Sequence, residues 1–307
     1  MKKNILIIKH GAFGDVILAG AAMEAIRKNH KNDYIICLTT HSFKNLLEGS
    51  PWFDKVVVDI KPKWNNIKGW LYLFFFFHKY KFKKVYDLQT SYRSNFYFFI
   101  FFFSKNVDWS GIAYGSSYRH NNPERKLMHT LDRQKDQLKI ANIEYNHHPN
   151  WRWLANNYKN TSIIPNNKFI ILVTGAARHR LNKKWPQDRY ASLIEYFSKI
   201  DIQCVLIGGE DEFNNIENII GLVDKKTIKR PLNYAGRTEY KDIVYLSSYA
   251  KYAIGNDTGP MHLIATSGLS TIVLFGSASD PSLCAPKGKN VIIINKGSIE
   301  DISLDLV

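Results

Sequence analysis

The chain has 307 residues, enough for two domains of ordinary size, and 45% of them are hydrophobic, which is typical of a globular protein. Its formal net charge of +15 predicts an anionic partner, so nucleic acid, a phosphorylated small molecule and an acidic membrane surface are all open at this point. Three widely separated cysteines, Cys37, Cys204 and Cys284, match no disulfide or metal spacing and fit a reducing cytosol.

The first half of the chain alternates strand-type runs with helix-type runs. Apolar β-rich runs predict strands at residues 4–10, 34–39, 55–60, 83–89 and 107–114. Apolar residues at helical spacing predict helices at residues 15–30 and 93–105, and a long aromatic helix before residue 83.

Two Phe-rich runs, residues 70–77 and 96–103, stand out in this half. Each is eight residues long, whereas a helix needs roughly 20 apolar residues to span a bilayer, so we expect no transmembrane helix. We favour core positions for these runs. A membrane-facing position is the alternative, because residues 1–150 carry 23 Lys and Arg against 12 Asp and Glu.

A second series of strands and helices follows a stretch rich in Asn and Pro, residues 147–168, which is typical of a linker. It predicts strands at residues 169–175, 203–209, 251–257 and 270–276. It also predicts helices at residues 186–200, 213–223, 239–250 and 259–268. Such alternation predicts an α/β protein with two doubly wound domains, residues 1–160 and 161–307, facing each other across a cleft.

Ligands bind outside the carboxyl ends of parallel strands, so the strand-to-helix turns are the candidate sites. The first turn contains Gly11 and Gly14, which permit close backbone approach, followed by Asp15 at the start of a helix. Its spacing does not fit a dinucleotide fingerprint. Asp15 is interpreted either as a first-turn acid that stabilises the helix or as a general base at the edge of the sheet.

Three turns in the second series could receive an anionic ligand. After Thr174 and Gly175 the chain is basic, which predicts phosphate binding or a solvated loop; the residues are Arg178, Arg180, Lys183 and Lys184. The acids of residues 210–212 are either helix caps or ligands for ribose hydroxyls. Thr258 and Gly259 begin a helix, where backbone N–H groups suit an anion, and Asp257 beside them suits a hydrogen-bond donor or a sugar hydroxyl; the alternative is that Asp257 and Thr258 only cap the helix.

Taken together, these turns resemble the lipopolysaccharide heptosyltransferases, glycosyltransferase family 9, from about residue 4 to residue 294. The motifs that carry the resemblance are ILIIKHGAFGDVILAGAAMEAIRK, VYDLQTSYRS, KKWPQDRYASLI and NDTGPMHLIATSGLSTIVLFGSASDP. The resemblance implies the GT-B architecture, with two Rossmann-like domains. It also implies inverting, metal-independent transfer of heptose from ADP-heptose to the inner core of lipopolysaccharide, with no cofactor beyond the nucleotide-sugar donor.

The resemblance assigns roles to individual residues. Asp15 matches the catalytic base, and Arg93 lies in the acceptor-side domain. The remaining matches are expected to bind the donor: Thr174, Gly175, Lys183, Glu212, Asp257, Thr258 and Gly259. Where the family often has hydroxyl side chains after this strand, the chain has Ala176 and Ala177, so one donor contact is expected to be missing.

The resemblance implies a cytoplasmic enzyme whose partners are a nucleotide-sugar and a phosphorylated glycolipid, with a peripheral contact to the anionic inner membrane as a further hypothesis. Two other enzyme classes are open. One is a relative that uses another nucleotide-sugar or acceptor, and the other is a nucleotide-sugar epimerase or hydrolase on the same fold. A nucleic-acid partner is disfavoured, because the basic residues are dispersed and no nucleic-acid-binding module is present.

Overall fold

The computed structural model describes residues 2–102, 107–176 and 180–307. The chain forms two compact units that divide between His147 and His148. Each unit contains a six-stranded, wholly parallel sheet with helices on it. No helix in the described residues is both long enough and apolar enough to cross a membrane.

The first unit contains strands β1 to β6 in the spatial order β3-β2-β1-β4-β5-β6. Their bounds are β1 (Asn4–Ile8), β2 (Tyr34–Thr39), β3 (Lys55–Val58), β4 (Lys84–Asp87), β5 (Asp108–Gly111) and β6 (Tyr118–Arg119). β1 lies at the centre and pairs with both β2 and β4. The chain therefore leaves β1 and β4 toward opposite edges of the sheet, which makes the gap between their carboxyl ends a switch point of the topology.

In the part of this unit that the structure describes, six α-helices connect or flank these strands: α1 (Phe13–Leu18), α2 (Gly20–Asn29), α3 (His41–Leu47), α4 (Ile67–Lys79), α5 (Tyr92–Phe102) and α6 (Thr130–Ile140). On one side of the sheet the core consists of β1, β2, β4 and β5 together with the inward faces of α4 and α5. Leu73 and Phe77 of α4 meet Tyr97 and Phe101 of α5 there, all of them buried. Burial of each such side chain stabilises the unit by about 1.5–3 kcal/mol.

The second unit contains strands β7 to β12 in the order β12-β11-β10-β7-β8-β9. Their bounds are β7 (Phe169–Val173), β8 (Gln203–Leu206), β9 (Leu232–Asn233), β10 (Ala253–Asn256), β11 (Thr271–Phe275) and β12 (Val291–Asn295). Counted from β7, this is the same 3-2-1-4-5-6 order as in the first unit. The switch point of this sheet lies between the carboxyl ends of β7 and β10.

The helices of the second unit are α7 (Gln187–Lys199), α8 (Phe213–Leu222), α9 (Tyr240–Ser247), α10 (Gly259–Thr266) and α11 (Pro281–Cys284). Its core contains Trp185, Tyr190 and Phe197, which pack beside Ile170 and Leu172 of β7. The indole N–H of Trp185 donates to a backbone carbonyl near the chain end, so this large side chain is buried with its polar atom satisfied.

The Asn- and Pro-rich stretch after residue 147 is anchored to the second unit. Trp151 is fully buried, and the guanidinium Nε of Arg152 donates to the carbonyl of Ser267 over 2.5 Å. The hydroxyl of Tyr158 donates to the Asp242 carboxylate at the start of α9. Composition indicates a linker here, but these contacts tie most of its length to α9 and α10.

The alternation of strands and helices predicted from sequence is confirmed, with corrections to single elements. The helix predicted at residues 15–30 begins earlier, at Phe13, and is divided at Ala19, where the poor helix former Gly20 begins α2. The helix predicted at residues 93–105 is α5, and its predicted end at residues 103–105 lies outside the described residues. Helix α6 was not predicted, because Gln134 and Gln137 occupy its buried face and leave little apolar periodicity.

Candidate functional site

The switch point of the second sheet is built around a close approach between β7 and β10. Gly255 pairs with Val173, and a Cβ added at Gly255 would lie 2.6 Å from the Val173 carbonyl oxygen. The strands can therefore reach this spacing only with glycine at that position. Thr174 and Gly175 leave β7 here, and Asp257 leaves β10, so the contact brings two of the predicted turns side by side.

Asn256, the last residue of β10, holds the two turns together. Its side-chain N–H groups donate to the carbonyls of Thr174 (2.8 Å) and Gly175 (3.1 Å). Its carbonyl oxygen accepts from the backbone N–H of Trp185 (3.1 Å) and from the Tyr190 hydroxyl (3.0 Å). This fully buried amide thus fixes the end of β7 and the segment before α7 relative to β10.

Asp257 and Lys183 form a largely buried ion pair at the next position. The Lys183 Nζ lies 2.5 Å from one oxygen of Asp257, and the Ser279 hydroxyl donates to the same oxygen over 2.8 Å. His262 Nε2 lies 3.6 Å from the other oxygen. Burial raises the pKa of Asp257, but the hydrogen bonds from His262, Lys183 and Ser279 and the charge of Lys183 outweigh it and lower the pKa to about 2.

Helix α10 points its first turn at this ion pair. Thr258 is the residue before the helix, with Gly259 and Pro260 in the first turn, and its hydroxyl makes no capping hydrogen bond. The hydroxyls of Thr258 and Thr174 are both buried and have no partner among the described residues. Buried hydroxyls usually find a partner, so two of them beside an open helix N-terminus and a lysine suit a polar, anionic ligand.

Glu212, at the start of α8, forms the other side of this corner. Its carboxylate is buried and lies 3.1 Å from the Nζ of Lys184. A Cβ added at Gly175 would lie 2.8 Å from the Glu212 carboxyl carbon, so the absence of a side chain at residue 175 leaves room for this acid. Glu212 therefore lies at the edge of the same site as Lys183, although 29 residues separate them in the chain.

In the first unit, the turn after β1 carries Asp15 in the first turn of α1. Gly11 has φ +137°, a conformation that favours glycine, and a Cβ there would meet the Phe43 ring at 2.8 Å. Ala12 precedes α1, so Asp15 is a first-turn acid and not the cap of the helix. The Asp15 carboxylate is half-buried and accepts no hydrogen bond from the described residues.

Charged groups surround the carboxyl ends of β1 and β4. Lys9 is buried; burial lowers its pKa, and the carboxylates of Asp15 and Asp87 partly offset that effect. Burial raises the pKa of Asp87 to about 6, although hydrogen bonds from Thr90 and Ser94 act in the opposite direction. Lys9 and Asp87 thus form an ionisable cluster around the predicted base.

Arg93 lies in the first turn of α5, after the carboxyl end of β4. One of its N–H groups donates to the Pro62 carbonyl over 3.0 Å. Its guanidinium lies over the rings of Trp64 (5.4 Å) and Trp70 (5.7 Å). These contacts hold the side chain beside the segment that leads into α4, on the same edge of the sheet as Asp15.

The structure brings together the seven residues predicted to bind the donor, at the carboxyl edge of the second sheet, and it places Asp15 and Arg93 at that edge of the first sheet. Their binding roles stay predictions. The basic loop is described only in part: Arg180 donates to the carbonyl of Ala278, whereas Ala177 and Arg178 lie outside the described residues.

Sequence reasoning missed three residues of the second-unit site: Asn256, His262 and Ser279. All three belong to the long motif that contains Asp257, but only Asn256 and His262 lie close to Asp257 in sequence, as a polar residue at the strand end and one on the first turn of the helix. Ser279 follows β11 and could not be linked to Asp257 without the sheet order. Within the described residues, no group of three His, Cys, Asp or Glu side chains is arranged to hold a metal ion.

A family model and a curated relative point to the same family. Residues 76–303 match the model of glycosyltransferase family 9 (heptosyltransferase). A lipopolysaccharide heptosyltransferase 2 from Salmonella typhimurium is 27% identical over 112 residues, which cover 36% of this chain and only 32% of that protein.

Two solved structures share the fold over nearly the whole chain. The glycosyl transferase family 9 protein from Veillonella parvula is 19% identical, with a TM-score of 0.80 over 99% of this chain and 93% of its own. The ADP-heptose lps heptosyltransferase II of E. coli is 18% identical, with a TM-score of 0.78 over 100% of this chain and 96% of its own. This likeness confirms the predicted GT-B architecture.

Proposed function

We infer that this chain, which belongs to glycosyltransferase family 9, transfers heptose from ADP-heptose to an inner-core acceptor of lipopolysaccharide. The proposal rests on the groups that meet at the carboxyl end of β10. There a largely buried lysine, an open helix N-terminus and two hydroxyls without a partner among the described residues converge. A diphosphate matches this set, because it offers both negative charge and several acceptor oxygens.

The donor would bind with its diphosphate at the first turn of α10. Lys183 and the backbone N–H groups there face the charge that develops as ADP leaves, and Thr174 and Thr258 offer hydroxyl donors. Asp257 holds Lys183 and keeps it oriented. Glu212, at the edge of the site, is proposed to accept from the ribose hydroxyls of the adenosine.

The acceptor hydroxyl would be activated by Asp15. Its carboxylate is half-buried and accepts no hydrogen bond from the described residues, so it is available to take a proton. In a single displacement the acceptor oxygen bonds to the anomeric carbon as the bond to the β-phosphate oxygen breaks. ADP keeps the electron pair, Asp15 takes the proton, and the anomeric configuration is inverted.

Lys183 and the helix N-terminus supply positive potential at the leaving group from the protein itself, which supports transfer without a metal. Arg93 is proposed to contact the acceptor, a phosphorylated glycolipid, because it is a cation on the same edge of the first sheet as Asp15. Such an acceptor is anchored in a bilayer, so we propose that the enzyme is cytoplasmic and acts at the inner face of the cytoplasmic membrane.

The test is a donor panel with purified protein and core glycolipid acceptor. ADP-heptose, other ADP-sugars and UDP-sugars are compared for transfer, with and without EDTA, and the product anomer is assigned by NMR. We expect transfer from ADP-heptose, unchanged by EDTA, with inversion. Transfer from a UDP-sugar and from no ADP-sugar would contradict the heptose assignment, and donor turnover without an acceptor would indicate an epimerase or hydrolase.

A further inference from the structure

Helix α4 exposes an apolar stripe on the side that faces away from its own core. Leu71, Tyr72 and Phe75 are 48%, 51% and 64% exposed, and they share one face of the helix. Phe76 and Phe77 turn to the opposite side and are buried. A surface helix normally carries polar residues on its outer face, so this α4 stripe (Leu71, Tyr72 and Phe75) needs an explanation.

Helix α5 carries a matching stripe. Tyr92, Phe96 and Phe99 follow one another at spacings of four and three residues, which places them on one face, and all three are exposed. The two helices pack side by side: the Phe77 ring of α4 lies 4.6 Å from that of Phe101. The exposed residues Tyr92, Phe96 and Phe99 are here called the α5 stripe.

Trp64 links the α5 stripe to Trp70 of α4. This exposed indole stacks on Trp70 at 5.3 Å, and its ring centre lies 5.1 Å from Phe96 and 6.3 Å from Tyr92. The α4 stripe, the α5 stripe and Trp64 are exposed apolar groups carried by two helices that pack together and by the segment before α4, and they are here called the aromatic face. Both Phe-rich runs thus have a buried and an exposed side, so they contribute to the core and to the surface.

The segment that carries the aromatic face has charges of almost one sign. Residues 60–107 contain nine Lys and Arg residues, and Asp87 is the single acidic residue in this range. Asp87 is fully buried at the end of β4, so it offers no negative charge to the surface. Lys68 and Lys79 lie at the two ends of the α4 stripe, and both are exposed.

We propose that the aromatic face docks on a lipid bilayer that contains anionic headgroups. Aromatic and aliphatic side chains enter the boundary between headgroups and acyl chains, and the surrounding lysines are attracted to the anionic headgroups. A protein interface would also accept the apolar side chains, but nothing in residues 60–107 offers the acids that a mixed-charge interface needs. Two copies facing each other through this surface would bring like charges together.

The inference rests on the proposed function for its biological sense, because that function needs an acceptor held in a membrane. Arg93, proposed to contact the acceptor, lies over Trp64 at the border of the aromatic face. Docking through this face would therefore bring the headgroup layer to the carboxyl edge of the first sheet. The glycolipid could then keep its acyl chains in the bilayer while its sugar reaches the enzyme.

The experiment is flotation of the full chain with phosphatidylcholine vesicles, with and without about a third phosphatidylglycerol, at low and high salt. We expect flotation only with the anionic vesicles, weakened by salt. Tyr72→Ser with Phe75→Ser should lower the binding at least about 10-fold, because the inserted apolar area is lost. Ile228→Ser, at an exposed apolar side chain of the second unit, is the control and should bind as wild type.

The electrostatic part has its own pair of variants. Lys68→Glu with Lys79→Glu should lower binding to anionic vesicles at least about 10-fold. Lys31→Glu with Lys225→Glu makes the same change in net charge at exposed sites outside the aromatic face, and it should lower binding much less. Equal losses in both double variants would show that net charge alone drives binding and would overturn the inference.

Two further readouts separate the explanations. No flotation of the wild type, or wild-type flotation of Tyr72→Ser with Phe75→Ser, overturns docking through this face. A wild-type dimer that these substitutions convert to a monomer, without a change in vesicle binding, assigns the face to a second copy. Transfer to an acceptor dispersed in detergent should stay at the wild-type level in Tyr72→Ser with Phe75→Ser and in Lys68→Glu with Lys79→Glu. If the wild-type protein floats with anionic vesicles but transfers no sugar, the proposed function alone is overturned.

Discussion

Replacing Lys183 with methionine separates the two tasks that the site gives this lysine. Methionine keeps most of the aliphatic length and removes the charge. Lys183 and Asp257 are both largely buried, with 14% and 6% of their side chains exposed, so solvent screens their attraction only weakly. The substitution should lower both the stability of the second unit and its affinity for ADP.

The magnitude of the stability loss follows from Asp257. At about 1.4 kcal/mol for each pKa unit, the lowering of its pKa from 3.8 to about 2 corresponds to roughly 2 kcal/mol of stability at pH 7. Lys183, His262 and Ser279 share that sum. Since the loss of Lys183 also leaves a buried carboxylate short of its cation, we expect Lys183→Met to lower the free energy of unfolding by about 1–3 kcal/mol.

The effect should depend on pH in a defined direction. The folded-state pKa of Asp257 lies below its unfolded value, so the pair contributes fully above pH 3.8 and the contribution is lost as pH falls toward 2. The stability difference between wild type and Lys183→Met should therefore be constant between about pH 5 and 7 and shrink below about pH 4. A difference that grows on acidification would contradict the ion pair.

The affinity for ADP should fall by about 10- to 100-fold, the scale of a lost hydrogen bond to a charged group. Calorimetric titration with ADP and urea unfolding should be run on Lys183→Met, Asp257→Asn and the double variant. The double variant should regain part of the stability but not the affinity. Recovery of both, or an unchanged Kd in Lys183→Met, would refute the contact with the diphosphate. Lys229→Met, which breaks an exposed ion pair with Asp201, should leave ADP binding unchanged.

Three other substitutions test the remaining parts of the site. Asp15→Asn should lower kcat by at least about 100-fold, the usual effect of losing a general base, with ADP binding kept; near wild-type turnover would exclude it as the base. Thr258→Val should weaken ADP binding but leave the unliganded protein as stable as wild type, because the hydroxyl has no partner among the described residues. A loss of stability would indicate instead that the hydroxyl stabilises the fold. Gly255→Ala should destabilise the protein by about 1–3 kcal/mol, because the added Cβ clashes with β7. The control is Gly221→Ala in α8, where a Cβ meets nothing within 4 Å, and it should stabilise the protein by about 0.5–1 kcal/mol. Equal effects of the two substitutions would contradict the close approach of the strands.

The class of fold and the positions of the strand-to-helix turns follow from the sequence pattern alone. Apolar residues at strand spacing dictate strands, and apolar residues at helical spacing dictate helices. Because parallel strands require helical crossovers, the residues after each strand lie at the same edge of the sheet. Asp15, Thr174, Asp257 and Thr258 are all at such positions. Short edge strands such as β6 and β9 are not predicted from the sequence, because two residues are too few to show a hydrophobic period.

The tertiary structure sets which of these strand-to-helix turns lie side by side. The order of strands places the ends of β7 and β10 side by side, and that order is set by packing between segments some 80 residues apart. Lys183 and Asp257 therefore form an ion pair, and Asn256 joins two turns, although nothing local to either residue specifies its partner. The exposed side of the Phe-rich runs was decided in the same way. A helix that is apolar all round gives no sign of which face will meet the core, and the contacts between Phe77, Tyr97 and Phe101 selected it.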